Sequence, residues 1–471
     1  MTATKQQVGL QRELGLFSAV SMIVAVMIGS GIFVSPTSAL KYSGSVGLCL
    51  IVWLVSGGLS LLGALAFAEL SSLVPRSGAE YAYFIDAFSP LHAYLGPLPA
   101  FLCSWIYVFV LRPAEQWDQV KKLIAILALT MITYINLTSV KLFVKVQNIF
   151  TMCKVAACLL VIGGGIWWLS TGHTKLLDEP FKGTTTSPGQ IALAFYSGLW
   201  AYDGWSSAAI VAEEVQRPEL NILRSIVIAV PIVTALYCGM NLAYMSALSP
   251  QEMIKAPAVA VLWAERVLPA WLGAVIPLGV ALSTFGCGLS LQFAVARLCY
   301  VAGQEGHVPR FFSWVHHERN TPAASVALQG ALSLLCLLVS DIVELIEFAS
   351  FLIWVFYGLT MIALLVMRKT KPTFQRTYRV PTVVPWLVLM IAVFLSIMPM
   401  YEKPSIKYLF VLGFVAIGWI VYHRCVYRTC NSSNIRKLTY LVQMLFMVVA
   451  PDEIDESKKK MMSKEATDEV T

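Results

Sequence analysis

Long apolar runs separated by short polar loops make up most of the chain. They fall roughly at 15–40, 46–73, 93–111, 122–139, 147–169, 190–211, 222–248, 270–302, 322–339, 343–367, 383–400 and 406–427. A bilayer core about 30 Å thick needs about 20 apolar residues in a helix. The pattern predicts an all-α, polytopic membrane protein with about twelve transmembrane helices.

Two of the runs are interrupted midway. The first interruption is Ile28-Gly29-Ser30-Gly31-Ile32-Phe33, and the second is Trp200-Ala201-Tyr202-Asp203-Gly204-Trp205. Glycine inside a helix lowers its stability by roughly 1 kcal/mol. Irregular backbone at membrane depth is tolerated only where it lines a cavity or is buried in protein. Two such breaks, five apolar segments apart, point to a transporter with inverted repeats and a midplane site. Close helix packing by small residues is the other reading of Gly-Ser-Gly.

Composition agrees with lipid as the main solvent: 58% of residues are hydrophobic and 13% charged, against about 25% charged in soluble domains. Arg12, Arg76, Lys141, Lys145, Arg217, Arg224, Arg310, Arg319, Arg368, Lys369, Lys371, Arg376, Arg379, Arg424 and Arg428 all fall on one side of this topology. By the positive-inside rule both termini are cytosolic. The net charge of +7 is mostly this set and requires no nucleic-acid partner. The ten cysteines are scattered without a CxxC pair, so they read as small hydrophobes. The chain divides into a cytosolic N-terminus (1–12), two repeats (13–169 and 189–368), two further helices (383–427), an interfacial C-terminal helix (435–450) and a disordered tail (454–471).

The breaks suit a zwitterion. The second half of a broken helix presents free N–H groups that favour a carboxylate. The first half is expected to end in unpaired carbonyls, near Met27 and Ile28, that suit an ammonium. Asp203 is a costly charge at this depth. It is either the counter-charge for a cationic substrate or an internally paired structural carboxyl. Lys154 is a second costly charge, either an internal cation in place of a coupling ion or a side chain that snorkels to the surface. Glu69, Glu213, Glu214, Arg217 and Arg297 form either a cytosolic lock or ordinary interfacial pairs. Trp200 and Trp205 flank Asp203, either to close over a ligand or simply to pack. Gly286-Cys287-Gly288 lacks the third glycine of a dinucleotide turn, and His316-His317-Glu318 lacks metal-ligand spacing. No nucleophile, base and orienting residue can be assembled, so an enzyme is not expected. No cofactor or metal is expected either.

Several motifs together carry a resemblance. They are Glu13-Leu-Gly-Leu16, Ile28-Gly-Ser-Gly-Ile-Phe-Val-Ser-Pro36, Ala68-Glu-Leu70, Ser77-Gly-Ala-Glu-Tyr81, Ala194 through Trp205, Glu213-Glu214, Arg217-Pro218 and Tyr300 through His307. The chain resembles the light subunits of heteromeric amino acid transporters, in the amino acid–polyamine–organocation superfamily. Its Trp-Ala-Tyr-Asp-Gly-Trp stretch is most similar to the b(0,+) type, which exchanges cystine and dibasic amino acids for neutral ones.

The resemblance implies a LeuT-like fold of two inverted five-helix repeats, with helices 1 and 6 broken, plus two further helices. It implies sodium-independent, obligatory exchange at the plasma membrane, apical in epithelia. Substrate contacts would come from Ile28, Gly29, Ser30, Gly31, Trp200, Ala201, Asp203 and Ser206, with Trp200 as gate and Lys154 in place of sodium. The implied partner is a single-span glycoprotein heavy subunit resembling rBAT. Val448 through Glu453 looks like the family's C-terminal trafficking segment, with Ala450 where a proline is usual. Three departures stand out. Arg112-Pro-Ala-Glu-Gln116 runs directly into Trp117-Asp118, so the end of the third helix and the loop cysteine that bonds the heavy subunit are absent. Ser206 stands where an asparagine is usual, and Ser207 through Ile210 is smaller and less polar than the family pattern. The shortening motivates an alternative, a non-transporting variant that senses substrate or occupies the heavy subunit.

Overall fold

The computed structural model describes residues 12–29, 31–109, 119–173, 178–256, 258–339, 342–374, 376–402, 407–427 and 433–449. The first apolar run forms two helices, α1 (Leu16–Met27) and α2 (Gly31–Ser43), separated by the first break. Then follow α3 (Val46–Leu73), a short α4 (Glu80–Phe88), α5 (Leu98–Phe109), α6 (Gln119–Thr138) and α7 (Val140–Ser170). The second half opens the same way, with α8 (Pro188–Ala201), the second break and a one-turn α9 (Ser207–Ile210). It continues through α10 (Pro218–Ala247), the short α11 (Pro250–Lys255), α12 (Val259–Val267) and α13 (Ala270–Gly273), then α14 (Val275–Gln304), α15 (Ala323–Val339) and α16 (Ile342–Thr370). Two further helices, α17 (Val383–Glu402) and α18 (Lys407–Val421), precede the C-terminal α19 (Ser433–Phe446). Each half is a broken helix, a long helix, a short helical insert and three more helices. This is the five-plus-five arrangement expected from the spacing of the breaks.

Helix starts follow local chemistry. Ser45 and Ser139 accept from the backbone N–H three residues on and cap α3 and α7. Pro188, Pro218 and Pro250 open their helices where no N–H is needed. Ser249 and Glu252 close a capping box on α11. The helices pack through small residues: a methyl on Gly165 of α7 would sit 2.4 Å from the Ala243 methyl of α10.

Five described helices are long and apolar enough to cross a membrane: Val46–Leu73, Val140–Ser170, Pro218–Ala247, Ala270–Gln304 and Leu352–Thr370. The other apolar runs also form helices, but the two breaks halve their segments and several others are shorter. The run placed at 93–111 becomes helical only from Leu98, because Ser89–Pro97 turns back on itself through the Leu91 and Gly96 amides. Leu54, Leu127, Ile166 and Leu278 are exposed on the bundle's outside. These are lipid-facing positions in a membrane protein.

Strand pairing among the described residues is confined to two-residue pieces. β1 (Val315–His316) pairs antiparallel with β2 (Val448–Val449), which follows α19. Val448 is buried there, while Tyr440, Leu441, Met444 and Leu445 of α19 are exposed. The expected disordered tail, residues 454–471, lies outside the described residues, as do the first eleven residues and Ala450.

Candidate substrate site between the two helix breaks

The breaks meet at the centre of the bundle. Ile28 ends α1 with φ −79° and ψ 74°, outside the helical range, and is fully buried with Gly29. Ser30 lies outside the described residues. α2 resumes at Gly31, where a Cβ would fall 3.1 Å from the Cα of Ala201. Only glycine lets the start of α2 come this close to the end of α8. On the other side Gly204 has φ +118°, and a Cβ there would lie 2.4 Å from Val26 Cγ1. The second break thus wraps tightly around the end of α1, through a conformation that favours glycine.

The carbonyls at the end of α1 are more occupied than the sequence suggests. Ala25 O accepts from Lys154 Nζ at 2.7 Å, and Val26 O from Cys287 Sγ at 3.4 Å. Met27 O accepts from Tyr237 Oη at 2.5 Å. Ile28 O and Gly29 O both lie near Ser283 Oγ, at 2.8 and 3.2 Å. The expectation of unpaired carbonyls near Met27 and Ile28 is therefore corrected. Each carbonyl has two lone pairs, so a ligand ammonium would share these acceptors with the protein. Tyr237 also reaches Ala201 O at 3.0 Å. Its single hydroxyl hydrogen serves both breaks and ties them together.

Lys154 is fully buried between α1 and α14. Its ammonium approaches Gly286, where a Cβ would lie 3.4 Å from Nζ. It is turned inward and does not snorkel. Gly286-Cys287-Gly288 makes room for it on α14.

At the second break Trp200 is half-buried in the last turn of α8, while Ala201 and Ser206 are buried. Asp203 is half-buried and accepts from Tyr357 Oη of α16. Trp205 is buried against Phe67, ring centroids 4.7 Å apart at 89°, and against Tyr357 at 4.7 Å. Its role is packing beneath Asp203, not closing over it. Of the two tryptophans, Trp200 alone retains exposure.

The charges expected to form a lock cluster at the end of the bundle that carries the basic loops, called the basic face below. Arg297 and Glu214 are fully buried and joined at 2.6 and 3.4 Å. The Arg297 guanidinium lies 3.4 Å from the Phe293 ring centroid, and Phe293 stacks on Phe143 at 3.8 Å and 5°. Glu69 accepts from Arg368 and from the Val380 N–H, with Arg376 at 3.7 Å. The turn after α3 adds Arg76–Glu305, a reciprocal Ser77–Glu213 pair at 3.2 Å and Gly78 N–H to Ile210 O at 2.7 Å. Tyr81 Oη lies 2.7 Å from His307 Nδ1. Burial pushes His307 down to about 4, so it is neutral at physiological pH and shares one hydrogen with the phenol. Burial also holds the Glu213 carboxyl above its usual range. Leu14 N–H donates to Glu214 O, and Gln216 N–H to Leu14 O, so the start of α1 is stitched to the end of the sixth segment. Arg217 is not part of this set: it is exposed at the start of α10 with φ +47°.

The arrangement offers an anion a helix N-terminus at α2. It offers a cation the Asp203 carboxylate, and it keeps a lysine ammonium beside the first break. Sequence reasoning missed Tyr237, Ser283, Cys287 and Tyr357. Ser283 and Cys287 are four residues apart on one face of α14 and were detectable as polar positions in an apolar run. Tyr237 and Tyr357 are single aromatics with no local signal.

Comparison with known proteins follows this geometry. The amino acid permease family model matches residues 14–114 and 111–422. The match divides where the third helix was read as shortened. The b(0,+)-type amino acid transporter 1 of Homo sapiens is 40% identical over 469 residues, 94% of each chain, and that of Mus musculus is 39% identical over the same shares. The human cystine/glutamate transporter is 36% identical over 85% of this chain and 82% of its own. The large neutral amino acids transporter small subunit 2 of Mus musculus is 36% identical over 95% and 88%. These relatives are transporters of amino acids, not enzymes. With a multi-pass helical fold, two broken helices and matches over most of its length, this chain belongs to the amino acid permease family.

Proposed function

We propose that this amino acid permease is a sodium-independent antiporter that exchanges cationic amino acids and cystine for neutral amino acids by alternating access. The observation that carries the reading is Asp203, a half-buried carboxylate in the second break, held by Tyr357 of α16. The α-carboxylate goes to the N-terminus of α2, around Gly29, Ser30 and Gly31, and the α-ammonium to the carbonyls of Ile28 and Ala201. Arginine and lysine extend a cation towards Asp203. Cystine carries a second ammonium at its far end, so one carboxylate serves both substrates. A neutral amino acid leaves Asp203 bonded to Tyr357. Ser206 borders this pocket, and Trp200 is its gate.

Lys154 permanently fills the place of a coupling cation beside Ala25 O. No sodium ion then binds beside the first break to drive the empty protein across. Reorientation depends on the substrate's differential affinity for the open and occluded states, which makes exchange obligatory. The basic face is cytosolic in this reading, with both termini inside and the protein in the plasma membrane. A relative's designation as a small subunit supports pairing with a heavy subunit, a single-span glycoprotein resembling rBAT. A covalent link would need another cysteine than the loop cysteine that is absent here.

Equilibrium binding tests the site itself. Labelled arginine is expected to bind purified protein without sodium and to be displaced fully by leucine and by cystine, because all three share one pocket. Arginine binding that excess leucine leaves untouched would contradict a shared site. The split family match around residue 111 favours a second reading, a variant that binds substrate without carrying it. Binding alone is common to both readings; flux separates them.

A further inference from the structure

Glu80 is the one acidic residue of the Ser77-Gly-Ala-Glu-Tyr81 turn that the proposed mechanism leaves unused. It opens α4, and its side chain is almost fully buried. No ion pair among the described residues includes it. α4 is no membrane span, yet it is tied to the substrate site. Gly78, two residues earlier, donates to Ile210 O just beyond the second break. Tyr83, one turn on and on the same face as Glu80, packs on Phe67 with centroids 5.7 Å apart. Phe67 in turn touches Trp205 at 4.7 Å and Tyr357 at 5.8 Å, the rings that surround Asp203. The titratable groups facing Glu80 are Asp203, Tyr83 and Cys103 of α5. α16 turns Phe356 to α4, and α14 packs Val301 against the preceding turn. Burial, and then the neighbouring Asp203 charge, push the Glu80 carboxyl up to about 8.

Two carboxyls thus lie in one poorly solvated region, and among the described residues no cation is paired with Glu80. We infer that Glu80 is a proton-binding site coupled to substrate charge: it keeps its proton when the pocket is empty or holds a neutral amino acid, and releases it when a cationic side chain pairs with Asp203. This rests on the proposed function and deepens it. The acid O–H breaks heterolytically and the proton leaves to bulk water on the side from which the cation entered. When the cation departs on the other side, Glu80 takes up a proton there. Each cation carried one way is then accompanied by a proton, or a fraction of one, carried the other way. Exchange of arginine for leucine becomes less electrogenic than the substrate charges alone require.

By linkage, the deprotonated form binds arginine better. Arginine affinity is highest above about pH 8 and falls as pH drops through that value, while leucine affinity stays flat. The test is calorimetric titration of the full-length protein near pH 8, without sodium, in two buffers of different ionisation enthalpy, with arginine and leucine as probes. Arginine is expected to release a measurable fraction of a proton per site and leucine none. Arginine affinity is expected to weaken several-fold between about pH 8.5 and about pH 6.5. E80Q is expected to abolish both effects while still binding leucine, and E80D to keep them. Equal proton counts for the two amino acids in the wild-type protein, or release that persists in E80Q, would overturn the inference. If E80Q does not fold, the wild-type and E80D counts decide it. Failure to bind either amino acid would overturn the proposed function, and this inference with it.

Discussion

Replacing Arg297 by alanine is expected to destabilise the protein by about 3–5 kcal/mol, among the largest single-site losses available in this chain. Arg297 and Glu214 have no exposed side-chain surface. Removing the guanidinium leaves a carboxylate in the core with no cation beside it, and that penalty exceeds what the intact pair contributes. The loss spreads because the guanidinium also lies on Phe293, which stacks on Phe143. Glu214 is in turn joined through its backbone to Leu14 at the foot of α1. The diagnostic comparison is the double variant R297A/E214A, measured by thermal unfolding in detergent. It is expected to be clearly more stable than the sum of the two single losses, because it removes the unpaired charge. A double variant that loses the full sum would show that the pair is not what holds this region.

Replacing Asp203 by asparagine is expected to weaken arginine binding by about 30-fold or more, while leucine binding changes only a few-fold. Loss of one partner of a hydrogen-bonded charge pair costs about 2–5 kcal/mol. Asp203 is half-buried, so the lower end applies, and about 2 kcal/mol is about 30-fold. Asparagine is isosteric and can still accept from Tyr357, so the aromatic surround of Trp205, Phe67 and Tyr357 is kept. The change therefore isolates charge. Equal losses for arginine and leucine would assign Asp203 a structural part instead. Competition binding with the two labelled amino acids distinguishes these outcomes.

The breaks were legible because glycine at membrane depth is costly and conspicuous. Gly29, Gly31 and Gly204 mark where the backbones of α1, α2, α8 and the second break approach one another. Asp203 and Lys154 were legible for the same reason, as charges that lipid does not tolerate. What they touch was not legible. Whether Lys154 turned inward depended on Gly286, far along the chain, leaving space on α14. Tyr237 joins Met27 and Ala201 from a helix whose sequence gives no hint of it. Trp205 and Trp200 look equivalent in sequence, yet the ring of Phe67 fixes one in the core while the other stays half-exposed. The charged positions near the basic face were legible, but their pairing was not. Glu213 binds the Ser77 backbone, Glu69 takes Arg368, and Arg217 remains outside. Such pairings depend on how helix ends meet in space, which local spacing does not encode. The short helices α4, α11 and α12 escaped notice because they lie between the apolar runs, and α13 because it is merged into the head of one.

The most direct test of the account is labelled arginine uptake into sodium-free proteoliposomes, either preloaded with leucine or left empty. The account predicts uptake into the preloaded vesicles and little into empty ones, because Lys154 leaves no ion to return the empty protein. Equal uptake in both would contradict obligatory exchange. No uptake in either, from protein that still binds arginine, would contradict transport and leave the shortened third helix marking a substrate-binding protein that does not carry its ligand.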